Sequence, residues 1–414
     1  MQSPDNASAR ADSSSSSLCG WGAAEIARRV AAGEISAREV VAAHIARCEA
    51  VHARLNAVCV PLFESAQESA AALDRDQALG RPLGLLHGVP VTIKECFHVA
   101  GTPSTMGLTK LQHDIQSADG PLVARWKRAG AVVLGKTNVP LLMVFHETDN
   151  PLYGRTNNPW NAERTSGGSS GGEAAIIAAG GSALGLASDL GGSIRIPAHF
   201  CGVSGLKPSS FRFTKQGVVS NLRGFDALQF QPGPLARRVE DLRLALSAMA
   251  RDEADAANEF VAPAAARAEP APRVEGMRIG VWEDDAYAPC SAAVRRVVDE
   301  AGRALAAAGA IVEPIRPLDT RAALHLCLAL IGADGGKEFR RLTRGSQLNF
   351  VMRRLLALGG LPRWLRPALA AVLHMMGDGK LGELVAAAGP RSADGYRRLI
   401  AQARELSLSY LESL

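Results

Sequence analysis

Long apolar runs are missing from this chain, and so are the cysteine patterns of metal and disulfide sites. No window of eighteen apolar residues lacks a charge or a glycine, which argues against a membrane-spanning helix. The seven cysteines are scattered and form no C-x-x-C pair, which argues against a disulfide framework and a zinc site and indicates a reducing compartment. We expect no metal or organic cofactor, and a cytoplasmic protein that is either free in solution or peripherally associated with a membrane.

Aromatic residues are scarce as well, and the net charge is small. Aromatics make up 5% of the 414 residues, and 46 basic against 41 acidic side chains leave a net charge of +5. So small and dispersed an excess does not indicate a nucleic-acid partner. Hydrophobic residues reach 47% with many alanines, which is typical of a helix-rich globular protein.

Two stretches have the composition of segments without a packed core. Residues 1–20 open with MQSPDNASARADSSSSS, which lacks the basic start and apolar run of a secretory signal and predicts a disordered tail. The stretch Asp252–Arg273 is rich in alanine, proline and glutamate and predicts a surface linker or insertion, taken as 252–273. We expect residues 21–414 to form a single domain.

Helix and strand patterns alternate along the chain. Ser36 and Glu39 form a capping box ahead of a long helix. In GVPVTIKE the aliphatic residues alternate, which predicts a strand with Lys94 on the opposite face. Leu122–Lys136 and Gly302–Ile315 each run from a helix through Gly-Ala into a β-branched strand. This alternation predicts an α/β fold in which helices cover both faces of a central mixed, twisted β-sheet.

The segment GAVVLGKT, Gly130–Thr137, satisfies the phosphate-loop pattern G-x-x-x-x-G-K-[ST]. Its four intervening residues, however, are alanine, valine, valine and leucine, the composition of a buried strand rather than of a pliable loop. Pro140 also disfavours the helix that would have to follow. We therefore interpret this segment as a strand.

The segment GGSSGG matches the nucleophile-elbow pattern G-x-S-x-G in two frames, with Ser169 or Ser170 at the tip. An elbow needs an apolar strand before it, and the preceding NNPWNAERT is polar and turn-like. His199 is the nearest downstream candidate for a catalytic base, although a histidine beside Phe200 is more typical of structural packing. A serine site without histidine is the better interpretation.

Five longer runs occur in a fixed order: GVPVTIKE, GRTNNPW, SGGSSGGEAA, DLGGSIRIPAHFCGVSGLKPS and GPLARRVEDL. Together they resemble the amidase signature family, over roughly Ala24–Leu414. The resemblance implies that family's fold, with amide hydrolysis through an acyl-enzyme. It places the catalytic lysine at Lys94, the bridging serine at Ser169 after a cis peptide bond with Gly168, and the nucleophile at Ser193.

The chemistry agrees with these assignments. A lysine serves as base only if burial lowers its pKa enough to keep the amine neutral, and we expect such burial of Lys94 on a strand flanked by aliphatic residues. Backbone N–H groups at a helix start would bind the oxyanion, and we assign this role to Leu190, Gly191, Gly192 and Ser193. We expect Asp189 and Arg195 to hold the loop by charged hydrogen bonds. The supporting residues of the site are Gly168, Ser170, Asp189 and Arg195.

Glu173, the NPLYGRTNNPW segment and the order of later elements are most similar to the fatty acid amide hydrolases within that family. Between Phe339 and Gly377 the chain has seven arginines, no acidic residue and many large apolar residues. Gly359, Gly360 and two prolines would divide this segment into two short helices, and we expect a membrane-facing cap at about 350–376. The alternative is that this face packs on the protein body or on a second copy in a homodimer.

Members of that family continue into a further strand after the last helix, and the chain ends at Leu414, so the C-terminal part of the domain is expected to be missing. The leading prediction is a serine amidase for small-molecule amides, with hydrophobic or fatty acid amides as substrates. The alternatives are an amidase for small aliphatic or aromatic amides, the catalytic subunit of a tRNA-dependent amidotransferase, or an inactive lipid-surface binding protein.

Overall fold

The computed structural model describes residues 18–219, 227–250, 273–284, 287–315 and 319–412. The predicted tail therefore lies outside the described residues except for its last three, and the predicted linker except for its last one. Cys19 is buried, and its carbonyl oxygen accepts a hydrogen bond from Arg237 Nη2 at 2.8 Å, so the packed chain already includes the end of the predicted tail.

The chain divides into two compact units, and a single domain over residues 21–414 stays a prediction. The first unit comprises Met1–Asn221, Gln229–Arg267 and Thr343–Met352, and the second comprises Leu222–Leu228, Ala268–Leu342 and Arg353–Leu414.

The first unit is built on a mixed six-stranded sheet in the order β1-β3-β2-β6-β8-β7. The three central strands β3, β2 and β6 are parallel, and the outer pairings are antiparallel. A mixed sheet among helices was predicted and is confirmed. The strands, with the separate hairpin β4/β5, are β1 Val58–Pro61, β2 Pro90–Lys94, β3 Val132–Thr137, β4 Asp149–Asn150, β5 Gly154–Arg155, β6 Leu184–Asp189, β7 Ser204–Gly205 and β8 Gln231–Ala236.

The central strands are buried along their whole length, as expected for parallel strands covered by helices. The GAVVLGKT segment forms β3, with Lys136 inside the strand and fully buried, so the strand interpretation is confirmed. Lys94 pairs with Thr137 at the ends of β2 and β3, and β6 ends at Asp189. Because parallel strands end at a common edge, these three residues lie along one edge of the sheet.

Helices in the first part of the chain surround this sheet, and α5 packs against β1, β2, β6 and β8. The capping box of Ser36 and Glu39 is present at the start of α2, as predicted. These helices are α1 Ala23–Ala31, α2 Ala37–Leu55, α3 Phe63–Ala78, α4 Pro121–Arg128, α5 Gly171–Ala178, α6 Arg195–Cys201 and α7 Val239–Met249.

The later helices are α8 Ala292–Ala307, α9 Thr320–Ile331, α10 Lys337–Thr343, α11 Phe350–Gly359, α12 Arg366–Met375, α13 Gly379–Ala387 and α14 Ala393–Glu412. The predicted break lies between α11 and α12 and contains Gly360 and Pro362, whereas Gly359 ends α11 and Pro367 lies in the first turn of α12. Strands β9 Arg278–Val281 and β10 Ile311–Pro314 pair in parallel as a separate two-stranded sheet in the second unit. None of the described helices has the length and apolarity needed to cross a bilayer.

Candidate active site

Lys94 lies at the end of β2 and is fully buried, because both faces of this predicted strand are covered. Its Nζ lies 2.8 Å from Ser169 Oγ, 3.1 Å from Ser188 Oγ and 3.2 Å from the Ser188 carbonyl oxygen. All three partners are neutral oxygen atoms. Burial lowers the pKa of Lys94, against smaller opposing effects of Cys96, Asp189 and Glu173. The site therefore favours a neutral amine in contact with a serine hydroxyl.

Ser169 lies in the turn before α5, and the peptide bond between Gly168 and Ser169 is cis, as the resemblance implied. A side chain at Gly168 would meet the Phe145 carbonyl oxygen at 2.5 Å, so only glycine fits there. The nearest strand before this turn is β5, which ends at Arg155. The turn is therefore not a strand-to-helix elbow, and His199, the candidate base, is exposed on α6.

Ser193 lies in the loop between β6 and α6 and is partly exposed. The Ser170 N–H donates to the Ser193 carbonyl oxygen at 3.1 Å, and Ser170 Oγ donates to the Ser188 carbonyl oxygen at 3.3 Å. These bonds hold the loop of Ser193 beside the turn of Ser169. The structure thus brings Lys94 and Ser169 into direct contact and places the main chain of Ser193 next to them.

Asp189 is the anchor of the Ser193 loop. Its carboxylate is fully buried and accepts hydrogen bonds from the N–H groups of Gly192 at 2.8 Å and Ile194 at 3.0 Å. Arg195 adds a bidentate pair, with Nε 3.0 Å from Oδ2 and Nη2 2.9 Å from Oδ1. Burial raises the pKa of Asp189, but the bonds from Arg195, Ile194 and Gly192 together outweigh burial and lower the pKa to about 2. Asp189 is therefore an ionised loop anchor.

Of the four N–H groups predicted to bind the oxyanion, one already has a hydrogen-bond partner in the structure. The Gly192 N–H is already bonded to Asp189, whereas within residues 18–219 of the described chain no partner is recorded for the N–H groups of Leu190, Gly191 and Ser193. Gly191 is exposed, and a side chain there would meet nothing within 4 Å. Three of the four expected N–H groups are accordingly open to a ligand.

Replacing Asp189 with asparagine is expected to lower the free energy of unfolding at pH 7 by about 1.5–3 kcal/mol, since charged hydrogen bonds contribute on this scale. Because the folded-state pKa is lowered, the contribution is present above pH 4 and is lost as the pH falls towards 2. Urea titrations at pH 7 and pH 3 measure both effects. Asp76→Asn, in an exposed pair with Arg81, is the control and should change stability by less than about 0.5 kcal/mol.

Sequence analysis missed Ser188 and the environment of Glu173. Ser188 is the polar residue beside Asp189 in the otherwise apolar strand LGLASD, and its position at the strand end was the available signal. Glu173 was noted only for its likeness to a branch of the family, yet it is fully buried and bonded to Thr92 and Thr137. In the described ranges no group of three His, Cys, Asp or Glu residues could hold a metal ion.

The chain is similar to known proteins both in sequence and in fold. The sequence profile of the Amidase family matches residues 39–370. Fatty-acid amide hydrolase 1 of Sus scrofa is 36% identical over 370 residues, covering 89% of this chain and 62% of that protein. Indoleacetamide hydrolase of Bradyrhizobium diazoefficiens is 45% identical over 238 residues, covering 57% of this chain and 45% of that protein.

A solved structure of fatty acid amide hydrolase superposes with a TM-score of 0.81 at 26% identity, covering 96% of this chain and 66% of that one. The chain thus spans somewhat less than two thirds of the length of the fatty-acid amide hydrolase it matches in sequence. The family profile covers most of the chain, and the fold and the order of the motifs agree with it. This chain belongs to the amidase signature family.

Proposed function

We propose that the chain is a serine amidase that hydrolyses carboxylic amides through an acyl-enzyme, with Ser193 as nucleophile, Ser169 as proton bridge and Lys94 as base. The observation that carries the proposal is the 2.8 Å contact between the buried Lys94 Nζ and Ser169 Oγ. A neutral amine accepts a proton at this distance, and a second serine beside it can lose one.

The steps follow from these groups. Ser193 Oγ attacks the amide carbon while its proton passes to Ser169 Oγ and the Ser169 proton passes to Lys94 Nζ. The oxyanion lies against the N–H groups of Leu190, Gly191 and Ser193, each of which contributes about 2.7–4 kcal/mol when such donors are preorganised. Lys94 then returns a proton through Ser169 to the leaving nitrogen, and the carbon–nitrogen bond breaks. Water attacks the ester, and its proton restores the Ser193 hydroxyl.

We further propose that the acyl group is hydrophobic. Leu190, in the nucleophile loop, is 38% exposed, and Phe145, whose carbonyl oxygen closes against Gly168, is 40% exposed. Leu190 belongs to the loop of Ser193, and the main chain of Phe145 meets the turn of Ser169, so both exposed apolar residues lie in segments that form the site. The likeness to proteins named fatty acid amide hydrolase, one in sequence and one in structure, supports the same substrate class.

Ammonia release from a series of primary fatty amides of increasing chain length tests this proposal. We expect kcat/KM to rise with each added methylene by about the threefold to fourfold that 0.8 kcal/mol corresponds to, until the site is filled. Indole-3-acetamide is the comparison substrate, because a relative is named for it. A higher kcat/KM for indole-3-acetamide than for every fatty amide would replace the fatty-amide proposal with an aromatic one.

We also propose that the second unit contacts a lipid surface through α12 and the turn before it. Trp364, Met375 and Met376 are 76–78% exposed, and Val372 is 44% exposed. Arg353, Arg354 and Arg363 are exposed in the same unit and suit anionic headgroups. Arg366 is not available to headgroups, because it is buried and donates to the carbonyl oxygens of Leu358, Leu361 and Val385.

Replacing Trp364, Met375 and Met376 with serine is expected to weaken sedimentation with anionic liposomes by about tenfold or more, since each side chain loses apolar burial in the interface. The matched control replaces Leu408 and Leu411, which are 52% and 65% exposed on α14, and should leave binding unchanged. Equal binding of wild type and the triple variant would contradict the proposed surface.

A further inference from the structure

The carboxyl group of Glu173 is buried against three neighbouring strands. Glu173 lies in the first turn of α5 and is fully buried. Its Oε2 lies 2.6 Å from Thr92 Oγ1 on β2, and its Oε1 lies 2.9 Å from Thr137 Oγ1 on β3. A side chain at Gly185 on β6 would come within 2.2 Å of Oε2, so glycine is required there. The carboxyl group is thus enclosed by residues of β2, β3 and β6.

The hydroxyl groups around this carboxyl leave a place for a carboxyl hydrogen. Ser182 Oγ donates to the Leu184 carbonyl oxygen at 2.8 Å and therefore has no hydrogen for Thr92 Oγ1, 3.1 Å away. The chain from Leu184 through Ser182, Thr92 and Glu173 to Thr137 contains four contacts between oxygen atoms, and its three hydroxyl groups supply three hydrogen atoms. When Thr92 donates to Ser182, the contact between Thr92 and Glu173 is a hydrogen bond only if the carboxyl group is protonated.

We propose that Glu173 is held as a neutral carboxylic acid that donates to Thr92, so that no ionised carboxylate faces the amine of Lys94. This inference depends on the proposed amidase mechanism in one respect, the role of Lys94 as the base. Thr92 precedes Lys94 by two residues on β2, so both side chains leave the same face of the strand. An ionised Glu173 on that face would stabilise the ammonium form of Lys94 and remove the base.

The surroundings of Glu173 agree with a neutral acid. Burial raises the pKa of Glu173 to about 8, although Thr92, Thr137 and Lys94 act in the opposite direction. Two other titratable groups face Glu173: Lys94 on β2, whose charged form lowers the pKa of Glu173, and Cys59 on β1, whose pKa Glu173 raises. No ion pair of Glu173 or Lys94 is present among the described residues.

Glu95, which follows Lys94 directly, provides the contrast. Its carboxylate is also fully buried, but it accepts bonds from the Thr105 N–H at 2.5 Å, Thr105 Oγ1 at 2.8 Å and the Met106 N–H at 3.0 Å. A backbone N–H can only donate, so both oxygens of Glu95 must accept. The chain therefore holds two buried glutamates near the base, one surrounded by N–H donors and one joined only to hydroxyl groups.

Glu173→Gln tests the inference because a glutamine side chain copies the neutral acid. Its NH₂ group donates to Thr92 Oγ1, and its carbonyl oxygen accepts from Thr137 Oγ1. We expect the labelling rate with a fluorophosphonate at pH 7 to stay within about threefold of wild type, and the acid limb of its pH profile to keep its midpoint. If Glu173 were a carboxylate, the substitution would remove a negative charge near Lys94 and move that midpoint to lower pH by about one unit or more.

Glu95→Gln is the matched control. An amide there turns one oxygen into an NH₂ donor facing an N–H group or a hydroxyl, so we expect a clear fall in Tm, whereas Glu173→Gln keeps the Tm of wild type. A fall in Tm of Glu173→Gln as large as that of Glu95→Gln would overturn the neutral-acid assignment.

A spectroscopic readout separates this inference from the amidase proposal. The infrared difference between wild type and Glu173→Gln at pH 7 should contain the carbonyl stretching band of one protonated carboxyl group, in the Ser193→Ala background as well. Absence of the band would overturn the assignment of Glu173 and leave the amidase proposal standing. Presence of the band in a protein that is not labelled at Ser193 would overturn the amidase proposal alone.

Discussion

Ser193→Ala is expected to abolish covalent labelling by a fluorophosphonate and to lower amide turnover by about 10⁴-fold or more, on the scale seen when a nucleophile is removed from a serine hydrolase. The reason is that the neighbouring hydroxyl groups of Ser169 and Ser170 are buried and bonded to Lys94 and to the Ser188 carbonyl oxygen, whereas Ser193 is partly exposed. Gel-based labelling and ammonia release measure the two effects.

Ser169→Ala is the matched comparison, because it removes a hydroxyl from the same site and retains the nucleophile. Labelling of this variant should be slower but still reach completion, whereas Ser193→Ala should remain unlabelled at all times. Complete labelling of Ser193→Ala would assign the nucleophile to another residue and contradict the proposed mechanism.

Lys94→Ala is expected to reduce the labelling rate and kcat by about 10²–10⁴-fold, the usual contribution of a general base. Lys94 accepts the proton only while its amine is neutral. Burial lowers the pKa of Lys94, so the neutral form, and with it the wild-type rate, is lost as the pH falls through that lowered pKa. The acid limb of the pH profile measured with a fluorophosphonate should therefore belong to Lys94 and disappear in the variant.

Lys136→Met controls for the loss of a buried lysine as such. Lys136 is also fully buried, and its Nζ donates to Ser104 Oγ at 2.9 Å and to the Pro103 carbonyl oxygen. Its replacement should lower the Tm but preserve the acid limb of the folded protein. An unchanged acid limb in Lys94→Ala would show that the titrating base is a different group.

The site could be predicted to the extent that it depends on local chain geometry. Alternation in GVPVTIKE was sufficient to place Lys94 on a strand, and glycines around Ser169 and Ser193 marked the two turns. The contacts of Ser188 with Lys94 could not be predicted, because they depend on β2 pairing with β6, which brings Ile93 opposite Leu186. Hydrophobic periodicity predicts which residues share a face of a strand, but it does not predict which other strands pair with it.

The same limit explains two further differences. The Gly192 N–H was predicted to bind the oxyanion, but the Asp189 side chain reaches it, a competition that a motif does not encode. Strand β10 was predicted from the same helix–Gly-Ala–strand pattern as β3, yet among the described strands it pairs with β9 in a separate sheet. None of the residues of β9 and β10 is buried, whereas those of β3 all are, and burial is the feature that a short aliphatic pattern leaves open.

The loop of Ser193 has a consequence for how such proteins diversify. The proposed nucleophile, the three open N–H groups and the carboxylate that anchors them occupy only Asp189–Arg195, and the loop is fixed by its own residues and by the neighbouring turn. Mutations in more distant segments can thus reshape what the cleft admits without disturbing bond cleavage. One scaffold is therefore able to serve relatives named for amides as unlike as a fatty acid amide and indoleacetamide.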